Sequence, residues 1–295
     1  MHDVLLGDCL EVMKTFPANH FTGIVTDPPY GLRFMNAEWD HAVPGIEFWK
    51  EALRISKPGS FLLCFGGSRT YHRITCAIED AGWEIRDCIM WIYGSGFPKS
   101  KGCLKPAYEP IILARKKGSN PKLNIDECRL ETRAKPLNDL RKERKGSFFS
   151  FLKPKNYDSS KGRWPANIIL DEENENLFGD RSRFFYCAKA SSLERNAGCR
   201  ELPDKSGGGL NSTVNGDSRT GHLTIQKNNH PTVKPLKLME YLITLISPKT
   251  ETIILDPFAG SGSTLVACKK LGIPCIGIEK EEKYIKISKE RIKAA

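Results

Sequence analysis

The sequence predicts an α/β protein, a sheet of strands with helices on both faces. Three observations carry this expectation. Short, wholly apolar runs alternate with amphipathic stretches through residues 1–115 and again through 230–295. Two of those runs end in loop-forming chemistry, TDPPY at 26–30 and LDPFAGSGST at 255–264, as strands that feed a ligand crevice do. The segment between the two zones, 116–229, loses the periodicity and turns basic and Gly/Ser/Asn-rich.

The elements follow in order. GIVTDPP at 23–29 reads as a buried strand stopped by its prolines. Residues 47–56 are amphipathic and end at Lys57-Pro58-Gly59, a helix-stopping triplet. FLLCF at 61–65 is a second buried strand, followed by a helical stretch over 69–80 that ends at Gly82. IRDCIMWIY and YEPIILAR are two further strands. In the middle zone only GRWPANIILD at 162–171 contains a strand, and 206–221 reads as a mobile loop that makes poor core. The last zone resumes with a helix over 235–246, Pro235 in its first turn, then the strand ETIILDP and a helix over 263–271. PCIGIE is the final strand, and a helix over 281–293 closes the chain, acidic at its start and basic at its end.

The chain has 295 residues and a net charge of +10. Between Lys99 and Arg163 there are 18 Lys/Arg against seven Asp/Glu, so the middle of the sequence carries the basic excess. Such a segment suits a polyanion, because each cation placed on a phosphate releases condensed counterions. The N-terminal residues lack a basic start followed by a long apolar run, and no stretch reaches membrane-spanning length; the expectation is a cytoplasmic protein with no membrane partner. Ten cysteines form no CxxC pair. Reduced thiols are expected, and no metal is assigned, although Cys103, Cys128, Cys187 and Cys199 share the middle region.

Two motifs carry chemistry. In ILDPFAGSGST, Gly260 and Gly262 let backbone approach a ligand at the start of a helix. A phosphate-binding P-loop is excluded because Ser263, not lysine, follows Gly262. A dinucleotide fingerprint is excluded because Leu265 stands where a third small residue belongs. Glu279 ends the next strand, where a carboxylate can accept both hydroxyls of a ribose. In TDPPY, Asp27, Pro28, Pro29 and Tyr30 form a stiff polar pocket with an aromatic face. An exocyclic amine is a poor nucleophile, since its lone pair is delocalised into the ring. Two acceptors gripping its N–H groups, here Asp27 Oδ and the Pro28 carbonyl, localise that pair. Tyr30 offers a face on which a base rotated out of a duplex can stack.

Together TDPPYG, HPTVKP and LDPFAGSGST resemble the amino-methyltransferase family of DNA methylases, and their order resembles its β class. The resemblance covers 1–115 and 230–295. It implies a Rossmann-like S-adenosylmethionine-dependent methyltransferase fold, circularly permuted, whose catalytic half is 1–115 and whose cofactor-binding half is 230–295. Residues 116–229 become an inserted DNA-recognition lobe that reads the target. By resemblance S-adenosylmethionine is the cofactor, lined by Asp256, Phe258, Gly260, Ser261, Gly262 and Thr264, with Asp27 at its reacting end. Glu279 would hold its ribose and Asp8 would meet its adenine, while Thr232 and Lys234 would approach its methionine end.

DPPY in this family is more often linked with adenine N6 than with cytosine N4, and adenine is the expected target. Cytosine-N4 methylation, methylation of RNA and a catalytically inactive DNA-binding protein are the alternatives. Double-stranded DNA is the implied partner, with a homodimer and a cognate restriction endonuclease left open. Lesser candidates for phosphate contacts are GSGFPKSKG at 94–102, Arg115-Lys116-Lys117 and RKERKG at 141–146. Trp91, Trp164, Phe148, Phe149, Phe184 and Phe185 are expected in the core.

Overall fold

A computed structural model of the chain describes residues 2–32, 40–94, 101–119, 121–130, 161–171, 182, 185–188, 205–206, 225–226, 228, 233–247 and 251–295. Strands β1 (His2–Leu6), β2 (Phe21–Thr26), β3 (Ser56–Phe65), β4 (Glu84–Ile92), β5 (Tyr108–Arg115), β6 (Ile168–Asp171), β7 (Tyr186–Ala188), β10 (Ile254–Asp256) and β11 (Cys275–Glu279) form one sheet. Its order is β1-β11-β10-β2-β3-β5-β4-β6-β7. All neighbouring pairs are parallel except those of β5, which runs antiparallel to both β3 and β4. A separate two-stranded pair joins β8 (Lys205–Ser206) to β9 (Ile225–Gln226).

Among the described residues, six α-helices cover the sheet: α1 (Cys9–Lys14), α2 (Ile46–Ile55), α3 (Tyr71–Asp80), α4 (Leu236–Ile246), α5 (Ser263–Lys270) and α6 (Glu282–Ala294). The central strands alternate faithfully between two cores. Val25, Leu63, Phe65, Ile111, Leu113 and Ile254 join the residues of α4 and α5 on one face. Ile24, Leu62, Cys64, Ile112 and Leu255 join Met13, Trp49 and Ile78 on the other. Burial on both sides explains why these strands read as continuous apolar runs rather than as alternating ones. The expected α/β class with helices on both faces is the observed one.

Local chemistry sets most element ends. Asp8 caps α1 by accepting from Leu10 N at 3.0 Å and Glu11 N at 3.4 Å. Helix α2 ends at Ile55, and the chain passes directly into β3 through Lys57-Pro58-Gly59, where a register shift against β2 absorbs the irregularity. The helices expected over 69–80 and 235–246 form over 71–80 and 236–246. Among the features not expected are the N-terminal strand β1, helix α1, the short strands β7, β8 and β9, and the reversed direction of β5.

Two pieces of the middle region lie on the sheet itself. Strands β6 and β7 extend its edge beyond β4, and Tyr186 stacks on Tyr241 of α4 with ring centroids 4.0 Å apart. Leu123, Ile125 and Cys128 pack into the core beneath α4, with Asn124 N donating to Leu245 O at 2.8 Å. Of the expected loop over 206–221, Ser206 belongs to β8 and 207–221 lie outside the described residues, as do Phe148, Phe149, Phe184, Cys199 and the run 141–146.

Sheet order positions the site. From β10 the chain moves outward to β11, whereas from β2 it moves outward on the other side to β3. Loops leaving the carboxyl ends of β10 and β2 therefore part in opposite directions and open a crevice between them.

Candidate active site

Two loops meet at this crevice. Thr26 Oγ1, at the end of β2, donates to Asp256 Oδ1 at 2.9 Å, stitching the DPPY loop to the Gly-rich turn 230 residues later. Asp256 also accepts from Thr264 Oγ1 at 2.5 Å and from Phe258 N at 3.2 Å. It is buried, and burial lifts its carboxyl to about 6 against the pull of those donors. Asp256 and Thr264 thus hold the turn from within while also lining the cavity above it.

The DPPY loop carries a four-membered polar cluster. Tyr30 Oη donates to Asp27 Oδ1 at 2.6 Å and lies 3.2 Å from Glu109 Oε2. Lys234 Nζ sits 2.7 Å from Asp27 Oδ2 and 3.1 Å from Glu109 Oε2. The Lys234 side chain is 8% exposed, and its ammonium stands 4.9 Å from the centre of the Phe65 ring. Burial works against that charge, but the two carboxylates outweigh it and hold the ammonium above its ordinary range. Burial also raises the Glu109 carboxyl, with Asp27 adding to the rise and Lys234 opposing it. The Tyr30 phenol is pushed well up by burial and by the two neighbouring carboxylates. Lys234, expected at the methionine end of a cofactor, lines the cavity, and its ammonium bridges Asp27 and Glu109. Glu109, on β5, was not singled out in the sequence at all. Thr232 falls outside the described residues.

The other half of the site is built on β10 and β11. Glu279 stands at the end of β11, its Oε2 accepting from Gly260 N and its Oε1 from Glu281 N, both at 2.8 Å. Burial raises this carboxyl as well. Gly260 has φ +53 and lines the cavity. Gly262, expected to line a ligand, does not reach the cavity wall. It caps α5 in the left-handed region at φ +79, and a Cβ there would lie 2.2 Å from Ser288 Oγ of α6. Its requirement is close packing of helix on helix. Arg291 of α6, buried and unforeseen, clamps the same turn from behind: its guanidinium donates to Ser261 O at 2.7 Å, Ser261 Oγ at 2.9 Å and Ser263 Oγ at 3.2 Å.

A cavity of about 870 Å³ joins the two halves. Its wall includes Asp8, Asp27, Pro28, Pro29, Tyr30, Lys234, Asp256, Phe258, Gly260, Ser261, Thr264 and Glu279, so nearly every residue singled out in the motifs meets here. The donor set fits S-adenosylmethionine. Glu279 is anchored by backbone N–H groups where a vicinal diol can be gripped, Phe258 and Ile278 supply apolar walls, and Asp8 and Asp27 add carboxylates to the wall.

Several lesser candidates resolve differently. Arg115 pairs with Glu84 at 2.6 Å, and Lys116 Nζ bonds Asn19 Oδ1, Leu53 O and Ser56 O, so the fold consumes both. Trp164, expected in the core, is 57% exposed with the Arg129 guanidinium 5.2 Å from its ring centre. In the 94–102 segment, Gly94 N donates to Asp171 Oδ2 at 3.2 Å, and 95–100 lie outside the described residues.

Fold and site together define an α/β methyltransferase-type protein. The chain belongs to the DNA methylase family, the N6/N4 methylases, which it matches over residues 21–290. It is 24% identical to the Type II methyltransferase M.HpaI of Haemophilus parainfluenzae over 98% of this chain and 73% of that protein. The M1.HpyAVI–SAM complex shares the fold with a TM-score of 0.52 and 21% identity, across 99% of this chain and all of the other. PvuII DNA methyltransferase (cytosine-N4-specific) shares it with a TM-score of 0.58 and 15% identity, across 99% and 86%. No helix among the described residues is long and apolar enough to cross a membrane.

Proposed function

We propose that this chain transfers the methyl group of S-adenosylmethionine to the exocyclic N6 of adenine in double-stranded DNA. One observation carries the reading: Asp27-Pro28-Pro29-Tyr30 leaves the carboxyl end of β2 on the wall of the cavity that the Gly260 turn and Glu279 also line. The bound cofactor supplies an electrophilic methyl on a sulfonium. Glu279 would hold its ribose and Asp8 would meet its adenine, with Phe258, Gly260, Ser261 and Thr264 along its wall. Asp27 Oδ and the Pro28 carbonyl accept the two amine protons of the target base, localising its lone pair; Pro29 stiffens the loop. The Tyr30 ring faces the base. Its hydroxyl, bonded to Asp27 at 2.6 Å, fixes the carboxylate against rotation. Holding both reactants in one crevice supplies much of the acceleration.

The target-recognition lobe is placed within 116–229, between the catalytic half at 1–115 and the cofactor half at 230–295. In this reading the enzyme works in the cytoplasm, and a second copy of the chain and a cognate restriction endonuclease are its candidate protein partners. Cytosine N4 is the second reading, favoured by the likeness to the PvuII enzyme. The test is incubation with labelled S-adenosylmethionine and unmethylated genomic DNA, followed by digestion to nucleosides and mass identification. N6-methyladenine is expected; N4-methylcytosine would reverse the base assignment, and absence of label from DNA would refute the transfer.

A further inference from the structure

The Asp27–Lys234 contact poses an electrostatic difficulty. Methyl transfer moves a full positive charge onto the target nitrogen: its lone pair forms the new N–C bond as the S–C bond breaks with its electrons on sulfur. A proton then leaves the nitrogen to water. A site that favours this step places negative charge beside the amine before the reaction begins. Asp27 alone would do so, yet an ammonium lies 2.7 Å from its Oδ2 and cancels it. Asp27 and Lys234 by themselves sum to zero.

Glu109 changes the sum. It is carried by β5, the reversed strand, and its Oε2 lies 3.1 Å from Lys234 Nζ and 3.2 Å from Tyr30 Oη. Both of its partners are also the partners of Asp27, so the two carboxylates share one ammonium and one hydroxyl. We infer that Glu109 is the positioning residue that sets the charge of the transfer site, holding Lys234 between two carboxylates so that one net negative charge remains beside Asp27 for the target amine. The inference rests on the amine-transfer reading above and adds to it a residue outside the DPPY and Gly-rich motifs.

The surroundings agree. Asp256, the next carboxylate, lines the same cavity but has three donors of its own and makes no hydrogen bond to Lys234 or Tyr30 among those of the cluster. Tyr93, which follows β4, senses the Glu109 charge and is pushed up to about 12 chiefly by burial and then by that charge. Phe65 closes the far side of the ammonium with a ring face at 4.9 Å. Lys234 is thus fixed by two carboxylates and an aromatic face, which a lysine meant only to neutralise Asp27 would not need.

The experiment measures single-turnover transfer on a substrate that the wild-type chain methylates, alongside cofactor binding by calorimetry. Glu109→Gln keeps the size and a hydrogen-bond acceptor for Lys234 but removes the charge, leaving Asp27 neutralised. Transfer should fall about 100-fold with cofactor affinity little changed. Adding Lys234→Met to that variant removes the neutralising cation, restores one net negative charge, and should recover at least tenfold of the loss. A merely structural role predicts the opposite, a double variant worse than either single one. Wild-type transfer by E109Q, or a double variant no faster than E109Q, overturns the inference. Should E109Q lose cofactor binding, Glu109→Asp takes its place. It keeps the charge, so transfer should stay within about tenfold of wild type, and a larger loss in a variant that still binds cofactor refutes the charge role. An inactive wild-type chain would refute the transfer reading itself, an outcome separate from any ratio between variants.

Discussion

At the scale of single residues, the site is a set of carboxylates given different tasks by their surroundings. Asp256 is buried and answered by two hydroxyls and a backbone N–H, so it holds the turn. Glu279 is answered by two backbone N–H groups and stands at a strand end, where a diol can be gripped. Asp27 is answered by a phenol and a shared ammonium, and among these three it is the one next to Tyr30. Replacing Asp27 by alanine should reduce transfer at least about 100-fold while cofactor affinity changes only a few-fold, because its acceptor acts on the base. Rapid-quench transfer and calorimetry with cofactor alone check this, and near-normal turnover would remove Asp27 from the chemistry.

At the scale of elements, the Gly-rich turn is held from both sides. Asp256 ties its start to β2, while Arg291 and the tight contact of Gly262 with Ser288 tie its end to α6. A side chain at Gly262 has to adopt φ +79 and displace Ser288, whose Oγ would lie 2.2 Å from the new Cβ. Gly262→Ala should therefore cost about 1–3 kcal/mol of stability, seen as a lowered Tm in thermal unfolding. Cutting Ser288 back to glycine in the same variant should return part of the loss. An unchanged Tm for the alanine variant would show that the turn has slack the packing does not reveal. The strands and helices around this turn were legible in the sequence because their signals are local: apolar runs, a Lys-Pro-Gly stop, and an acidic-to-basic gradient along the last helix. Strand β1 was missed because only Val4 of its five residues is buried, which leaves too short a pattern, and its pairing with β11 comes from the far end of the chain.

For the whole molecule, the charge is unevenly placed. The net +10 arises largely between Lys99 and Arg163, whereas the transfer cavity is lined by seven Asp/Glu against four Lys/Arg, of which only Lys105 comes from that segment. An acidic balance in the crevice suits cationic reacting groups, while the remaining cations of the basic segment suit the phosphates. DNA affinity should then fall steeply with salt, by about 0.9 log units per tenfold salt for each phosphate neutralised. Binding isotherms from low to moderate salt measure the slope, and a flat line would exclude the basic segment as the phosphate contact. Not every cation there contributes, since Arg115 and Lys116 are bound within the fold.

The sequence by itself determined the α/β class, the two loops that bear the chemistry, and most of the residues that line the cavity. Those features depend on neighbours along the chain: periodicity, prolines at strand ends, and glycines at the start of a helix. Only the tertiary structure decided that β10 and β2 lie side by side, that Lys234 turns to Asp27, and that Glu109 completes the cluster. Asp27 and Lys234 are separated by 207 positions, and Glu109 sits on a strand whose reversed direction no local pattern announces. An ion pair between such residues is fixed by the order in which strands add to the sheet. That order is a property of the packed molecule, because the central strands are buried on both faces and the place of each is set by the fit of the others.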